Sequence, residues 1–230
     1  MFYGYDYGIF AMLPVIILAT IVQFRLNSAY SKYSNISNSK GITGGAIAKM
    51  ILRGAAIYDV QVERVDGRLS DHYDPTKKVV RLSDAVFNGT SIASIGIAAH
   101  ECGHAIQHNV NYFPLRLRSS AVGITNFSSK LLYFLILGSL LFYSYSFSTV
   151  IFNIATICYA IIFLFQLITL PVEFNASARA VEIIERNGFS DHDISGVRKI
   201  LNAAAMTYVA SAATALWQLL RMLSRARRHR

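Results

Sequence analysis

The sequence predicts a mainly α-helical membrane protein, in which three or four transmembrane helices carry a small cytoplasmic α+β domain. Three observations support this fold class. Of the 230 residues, 53% are apolar and only 15% are charged, whereas roughly 25% of the residues in a soluble domain are charged. Residues 131–172 form a run of 42 without one charged side chain. Elsewhere, two short segments, one of them alternating, are typical of a β-hairpin, and one longer segment is typical of a helix.

The overall composition excludes several classes of protein. Twenty-two Lys and Arg against thirteen Asp and Glu give a net charge of +9. Together with the high apolar content, this excludes a disordered tail, a coiled coil and a small disulfide-stabilised protein. Cys102 lies in a polar motif and Cys158 inside an apolar run. We therefore expect both cysteines to be free thiols.

The uncharged run of residues 131–172 is long enough for two membrane crossings. A helix rises about 1.5 Å per residue and crosses a 30 Å hydrocarbon core in about 20 residues. We therefore predict a transmembrane hairpin with a tight polar turn within Tyr143–Ser148. The alternative, a helical hairpin buried in a soluble protein, is less compatible with so long a run without charge.

A third span is predicted at Gly8–Phe24. No Lys or Arg precedes Arg25, whereas a cleaved signal peptide begins with a positively charged region. Residues 1–26 are therefore predicted to form an uncleaved transmembrane anchor with its N-terminus outside the cell.

The distribution of cations predicts the orientation of the chain in the plasma membrane. Residues 25–130 hold thirteen of the Lys and Arg, and residues 173–230 hold the other nine. Three crossings place both segments on one side of the membrane, and the positive-inside rule makes that side cytoplasmic. The positive charge then indicates attraction to anionic lipid rather than to nucleic acid, because no nucleic-acid-binding motif accompanies it.

These crossings divide the chain into an anchor, a cytoplasmic domain, a transmembrane hairpin and a cytoplasmic C-terminal region, at residues 1–26, 27–130, 131–172 and 173–230. Within the last of these, residues 203–220 are uncharged, but they are Ala-rich and interrupted by polar side chains. A fourth crossing there would place the basic C-terminal tail outside, against the positive-inside rule. We therefore predict a helix that packs on the other helices or lies at the membrane interface, with a cytoplasmic C-terminus.

The cytoplasmic domain is predicted to contain two helices and two strands. Asn27–Lys40, rich in Ser, Asn and Tyr, is expected to form a linker or a frayed helix end. The second of the two strands, Lys78–Leu82, could bind an extended substrate at its edge or simply belong to a core hairpin. The elements are a helix at 44–53 capped by Thr43, strands at Tyr58–Val65 and Lys78–Leu82, and a helix from Ile92 to about Gln107 after a cap at Asn88–Ser91.

The last of these helices contains the motif His100-Glu101-Cys102-Gly103-His104. Residues four apart lie one turn apart on one face of a helix, so both imidazoles can reach a single metal ion. Imidazole nitrogens suit zinc, and Glu101 is placed to accept a proton from an activated water. The alternative is a pair of surface histidines. The apolar residues 92–99 predict a buried helix instead, in which unpartnered His and Glu would cost several kcal/mol.

A catalytic zinc ion needs a third protein ligand from elsewhere in the chain. His108 lies one further turn along the same helix, and three nitrogens from one straight helix cannot form part of a tetrahedron. Glu173 is preferred for its position, because it is the first charged residue after the uncharged run. A lone acid beside anionic lipid is unfavourable unless a cation meets it. The candidates considered are His108, Glu173, Glu182, Glu185, Asp191, His192 and Asp193.

Five stretches of the chain together carry a family resemblance. They are Thr43-Gly44, Tyr58–Val60, Asp71–Pro75, His100–Ala105 and Leu170–Ser177. These stretches resemble the bacterial YugP-type neutral zinc metallopeptidases, over about residues 40 to 220. Among them, the His-Glu-x-x-His string is specific by itself. More distantly, the layout is similar to the heat-shock protease HtpX and the zinc CAAX prenyl proteases, which share a gluzincin-type site.

The resemblance implies a zincin-like domain in which His100, His104 and Glu173 bind zinc and Glu101 is the general base. In the distant relatives the third ligand lies in a Glu-x-x-Ala-Asp motif, whose Asp orients a ligand. This chain has Ser177 in place of that Asp. Asn175 and Arg179 are the candidates for the orienting role.

These observations predict a membrane-embedded zinc endopeptidase that acts at the cytoplasmic face of the membrane. Tyr208, Arg179 and His192 are candidates for the donor that stabilises the tetrahedral oxyanion. We expect a protein or peptide substrate that can itself be membrane-associated, contact with membrane lipid, and no nucleic acid. Two alternatives stay open: a membrane scaffold with a structural zinc site, and a zinc hydrolase of a non-peptide amide or ester.

Overall fold

A computed structural model describes residues 10–67, 70–141 and 145–228. The chain divides into two compact units. The helical unit consists of Met1–Thr20, Leu117–Leu170 and Tyr208–Arg230, and the sheet unit consists of Ile21–Arg116 and Pro171–Thr207. In chain order the elements are α1 (Leu13–Ser34), α2 (Gly44–Gly54), β1 (Gln61–Val65), β2 (His72–Asp74), β3 (Val79–Ser83), α3 (Asp84–Phe87), α4 (Ile92–Asn109), α5 (Phe113–Leu141), α6 (Tyr145–Arg186) and α7 (Asp191–Arg228).

At the start of the sheet unit, the first half of the segment Asn27–Lys40 is helical. α1 continues to Ser34, so the segment that begins at Asn27 is the end of a helix, one of its two predicted forms. α2 begins after Thr43, whose hydroxyl accepts a hydrogen bond from the Ala46 amide at 3.2 Å. This bond satisfies an amide that the helix itself leaves without a partner. The predicted cap of this helix is confirmed.

The strands form a sheet in the order β1-β3-β2. β1 runs parallel to β3, with Gln61 opposite Val79, whereas β2 runs antiparallel to β3, with His72 opposite Arg81. A short hairpin is therefore present, but it joins β2 to β3 rather than the two predicted strands to each other. The three residues of β2 are too few to show an alternating pattern in the sequence. β3 has a strand on each side, so of the two alternatives for this strand the structure excludes an open edge for substrate and shows a place in a core hairpin.

α4 passes through the core of the sheet unit. Ser91 accepts a hydrogen bond from the Ser94 amide at 3.0 Å and so caps the helix as predicted. Twelve of the eighteen residues of α4 are buried. Gly96 allows close packing by α7, because a Cβ at that position would lie 3.2 Å from the Val197 side chain. The helix that carries the His-Glu-x-x-His motif is therefore buried, as its apolar first half predicts.

In the helical unit, the C-terminal part of α7 packs against other helices. The Trp217 indole N–H donates to the Ala11 carbonyl at 2.6 Å. Met222 packs on a cluster formed by Leu132, Ala155 and Cys158. Residues 203–220 therefore contact other helices, and these contacts are compatible both with the predicted packed helix and with a fourth crossing.

Three helices in the described part of the chain are long and apolar enough to cross a membrane: Leu13–Ser34, Val150–Arg186 and Asp191–Ser224. The first two match predicted spans, and the third contains the segment for which a fourth crossing was considered. The first half of the predicted hairpin lies in α5. Residues 142–144 and several neighbouring side chains lie outside the described part of the chain. Because α6 begins at Tyr145, the last four residues of the predicted turn are helical. A mainly helical membrane protein with a small α+β portion is confirmed.

Candidate metal centre

α4 and α6 bring together, in the sheet unit, three side chains of types that can bind a metal ion. His100 and His104 lie one turn apart on α4, with ring centroids 4.8 Å apart. Glu173 lies on α6, and its Oε2 is 3.3 Å from Nε2 of His100 and 3.7 Å from Nε2 of His104. The three residues predicted as metal ligands therefore converge, although Glu173 is far from the histidines in the sequence.

The three groups fit a zinc ion in chemistry and in spacing. Two ligands at about 2.05 Å from a tetrahedral ion lie about 3.3 Å from each other, and all three ligand atoms here lie within 4.8 Å of one another. No fourth His, Cys, Asp or Glu joins this group among the residues that the structure describes. Three protein ligands are typical of a catalytic zinc site, which leaves one position open, whereas four are typical of a structural site.

Gly103 allows the two helices to approach each other at the metal centre. A Cβ at this position would lie 2.8 Å from the carbonyl oxygen of Ala176 and 3.2 Å from its Cα. Gly103 precedes His104 on α4, and Ala176 lies three residues after Glu173 on α6. The missing side chain therefore determines how closely the imidazoles can approach the carboxylate.

Each imidazole has a hydrogen-bonding partner on the ring nitrogen that faces away from Glu173. Nδ1 of His100 lies 3.2 Å from Ser177 Oγ, and Nδ1 of His104 lies 3.0 Å from Gln107 Oε1. Such contacts orient metal-binding histidines and select their tautomer. Ser177, which stands where the distant relatives have Asp, therefore contacts His100 directly.

Gln107 is the residue of this site that sequence reasoning missed. Its Nε2 donates to the Val172 carbonyl and to Asn175 Oδ1, and Asn175 Oδ1 also accepts a hydrogen bond from Arg179 Nε. Arg179 therefore pairs with Asn175 rather than with a nearby glutamate. The one available signal for Gln107 was its position three residues after His104, on the same face of α4.

Comparisons with known proteins agree with this geometry. The family model described as "Putative neutral zinc metallopeptidase" matches residues 8–227. The chain belongs to this family. A relative from Bacillus subtilis (strain 168), named "Putative membrane protease YugP", is 44% identical over 216 residues, which cover 94% of each chain. No solved structure matches the chain. The family indicates a metallopeptidase with zinc as its cofactor, and the relative indicates a membrane protein.

The other candidate ligands of this metallopeptidase serve different contacts. Nδ1 of His108 lies 2.7 Å from the Tyr73 hydroxyl, so this histidine links α4 to β2. Asp193 is buried and accepts hydrogen bonds from the Ser39 amide and hydroxyl. The remaining candidates lie on the surface and are Glu182, Glu185, Asp191 and His192.

The predicted oxyanion donors of the metallopeptidase occupy three different places. Arg179 belongs to the hydrogen-bond network around Gln107. His192 is exposed in the first turn of α7, and Tyr208 falls in the helical unit.

The electrostatic environment of the metal centre favours positive charge. Burial lowers the pKa of His104, but its interaction with Glu173 and the negative charges of Glu101 and Glu173 outweigh burial and raise the pKa above its usual value. Glu101 itself is partly exposed, whereas the Glu173 side chain is only 3% exposed. A cation at this position would compensate Glu173, while Glu101 stays accessible to a substrate.

Proposed function

We propose that this metallopeptidase is a membrane-embedded zinc endopeptidase that hydrolyses peptide bonds with Glu101 as its general base. The observation that carries the proposal is the convergence of His100, His104 and Glu173 within 4.8 Å, next to Glu101 on α4. A structural zinc site needs no general base and is usually closed by four protein ligands. The three-ligand group therefore favours an enzyme over a scaffold.

In the proposed mechanism, each side chain of the motif has one task. Zinc, when bound by the two histidines and Glu173, supplies a Lewis acid that lowers the pKa of water and polarises the scissile carbonyl. Glu101 accepts the proton of the attacking water and passes it to the leaving nitrogen. Proton transfer by a positioned carboxylate contributes typically about 10²–10⁴-fold to a rate. Arg179, Tyr208 and His192 stay candidates for the donor that stabilises the oxyanion.

The sidedness of the enzyme belongs to the same proposal. We propose that the N-terminus lies outside the cell and that the metal centre faces the cytoplasm, where it acts on a protein or peptide substrate near the lipid surface. Thirteen Lys and Arg lie in residues 25–130, which include His100 and His104, and none precedes Arg25. The positive-inside rule therefore supports a cytoplasmic site.

The experiment that tests the function compares Glu101→Gln with the wild-type protein. We expect Glu101→Gln to keep about one zinc per chain and to lose cleavage of an unfolded protein substrate by at least about 10²-fold, because an amide cannot accept the proton. Zinc content would be measured by elemental analysis, and cleavage by mass spectrometry of the products. Glu182→Gln, on the surface of α6, is the matched control and should retain both.

The same measurements on Glu101→Gln and on the wild-type protein separate the remaining alternatives. Cleavage that survives Glu101→Gln would overturn the assigned mechanism. Wild-type protein that hydrolyses small esters but no peptide would indicate a zinc hydrolase of a different substrate class. Zinc that binds without any hydrolysis would indicate the scaffold.

A further inference from the structure

We infer that Gln107 is a positioning residue that sets the tautomer of His104, and that Arg179 acts on His104 through Asn175 and Gln107. The inference rests on the proposed function in one respect, namely that His104 binds zinc. It concerns a chain of three hydrogen bonds within the sheet unit, which ends at the imidazole ring.

The orientation of the Gln107 side chain follows from what its neighbours can accept. Gln107 is fully buried, and its carboxamide has one donating and one accepting end. One end lies 2.8 Å from the backbone carbonyl of Val172, which can only accept a hydrogen bond. The donating Nε2 must therefore point to Val172, and the accepting Oε1 must point to His104.

This orientation dictates which nitrogen of His104 carries the proton. Gln107 Oε1 lies 3.0 Å from Nδ1 and cannot donate, so Nδ1 must donate to it. In a neutral imidazole the other nitrogen then has a free lone pair. Nε2 faces Glu173 at 3.7 Å, where a metal ion needs that lone pair. Gln107 therefore presents His104 in the form that can bind zinc.

Arg179, at the end opposite His104, determines the direction of donation along the three hydrogen bonds. A guanidinium can only donate, so the Asn175 atom 2.8 Å from Arg179 Nε must be the oxygen. The same oxygen lies 3.0 Å from Gln107 Nε2 and accepts a second hydrogen bond there. Without Arg179, the Asn175 amide could rotate and present its NH₂ group to Gln107 Nε2, which would oppose the orientation that His104 requires.

The test measures zinc affinity and the Nδ1 proton of His104 in the full-length protein. In Gln107→Leu we expect zinc to bind about 10–100-fold more weakly, as for other contacts that orient metal ligands. We also expect ¹⁵N-histidine spectra of the zinc-loaded protein to lose the hydrogen-bonded Nδ1 proton of His104 while that of His100 persists. Gln61→Leu, at an exposed position of β1, is the matched control and should change neither readout. Where Gln107→Leu does not fold, Gln107→Met gives the same two readouts.

A double-variant comparison tests the role of Arg179. Arg179→Met should weaken zinc binding by up to about tenfold in the wild-type background, but it should add almost nothing in the Gln107→Leu background. Arg186→Met, on the surface of the same helix, is the control. Equal effects of Arg179→Met in both backgrounds would show that Arg179 does not act through Gln107.

The outcomes distinguish this inference from the proposed function. If the wild-type protein binds no stoichiometric zinc, the proposed function fails. If the wild-type protein binds zinc and Gln107→Leu retains both its affinity and the Nδ1 proton signal of His104, the inference is overturned and the proposed function stands.

Discussion

At the scale of single residues, Glu173 combines near-complete burial with a carboxylate that faces two imidazoles. Its side chain is 3% exposed, and its Oε2 faces Nε2 of both histidines. Burial removes this carboxylate from water, and a buried charge is stable only where positive charge or hydrogen bonds compensate it. A zinc ion held between the three side chains would meet that requirement and complete the predicted ligand set.

Glu173→Gln tests this interpretation with almost no change in shape. We expect zinc affinity to fall by more than about 100-fold, because a neutral amide is a poor zinc ligand and even contacts outside the ligand set change affinity by about 10–100-fold. Competition with a chromogenic chelator gives the affinity. Glu185→Gln, exposed on the same helix, serves as the control. Unchanged zinc binding in Glu173→Gln would exclude Glu173 as a ligand.

Among the elements, the packing of α4 on α6 positions the ligands. Gly103→Ala places a methyl group 2.8 Å from the Ala176 carbonyl oxygen, where backbone rather than a flexible side chain must move. We expect a loss of about 1–3 kcal/mol in stability, which is typical of an overpacked site, together with weaker zinc binding. Apparent melting temperatures of the metal-free and zinc-loaded proteins measure both effects.

Gly123→Ala is the matched control for this packing effect. It lies inside α5, where a Cβ has open space around it, so we expect it to stabilise the helix by about 0.5–1 kcal/mol. If Gly103→Ala behaved like Gly123→Ala, close approach of α4 and α6 would not matter to the site.

The turn between β2 and β3 is predicted to respond to pH through Asp74. The Lys77 amide donates to the Asp74 carboxylate at 3.1 Å and, with further bonds from Arg81 and Thr76, lowers the pKa of Asp74 despite partial burial. A lowered pKa stabilises the folded state above the ordinary Asp pKa of about 4, and this contribution is lost as pH falls through the lowered value.

Asp74→Ala should therefore lower the apparent melting temperature at neutral pH and have progressively less effect in acid. Melting curves between pH 7 and pH 3 check this dependence. Asp66→Ala, in the exposed turn after β1, is the control. A difference from the wild-type protein that stays constant across this range would show that the charge of Asp74 is not responsible.

At the scale of the whole molecule, cysteine labelling of intact cells tests the orientation in the membrane. The native thiols Cys102 and Cys158 are buried, at 0% and 4% exposure, so their background is low. We expect Tyr5→Cys to react with an impermeant maleimide from outside, and Lys77→Cys, on the sheet unit, to react only after permeabilisation. The reverse pattern would place the metal centre outside the cytoplasm.

The same experiment decides the course of α7. Trp217 donates to Ala11, near the start of α1, and α7 is long and apolar enough to cross. We therefore expect Ser224→Cys to react from outside, as a fourth crossing requires and as an exception to the positive-inside rule. Labelling of Ser224→Cys only after permeabilisation would instead support the three-crossing prediction with a cytoplasmic C-terminus.

Much of the molecule was predictable because its signals are local. The cap at Thr43, the buried helix after Ser91 and the apolar spans each depend on residues within a few turns of one another. Strand pairing is not local: β1 and β3 pair in parallel with seventeen residues between each pair of partners, and β2 lies on the far side of β3. An alternating pattern indicates a strand but does not indicate its partner.

The sequence by itself determined the kind of chemistry, because the spacing of His100 and His104 on a helix needs no further information to suggest a shared metal ion. It also singled out Glu173 by its position after the uncharged run. Only the tertiary structure decided that Ser177 and Gln107 orient the two imidazoles and that Gly103 lets α6 approach. Those relations depend on how two helices distant in the chain pack together, and no local pattern of residues encodes that distance.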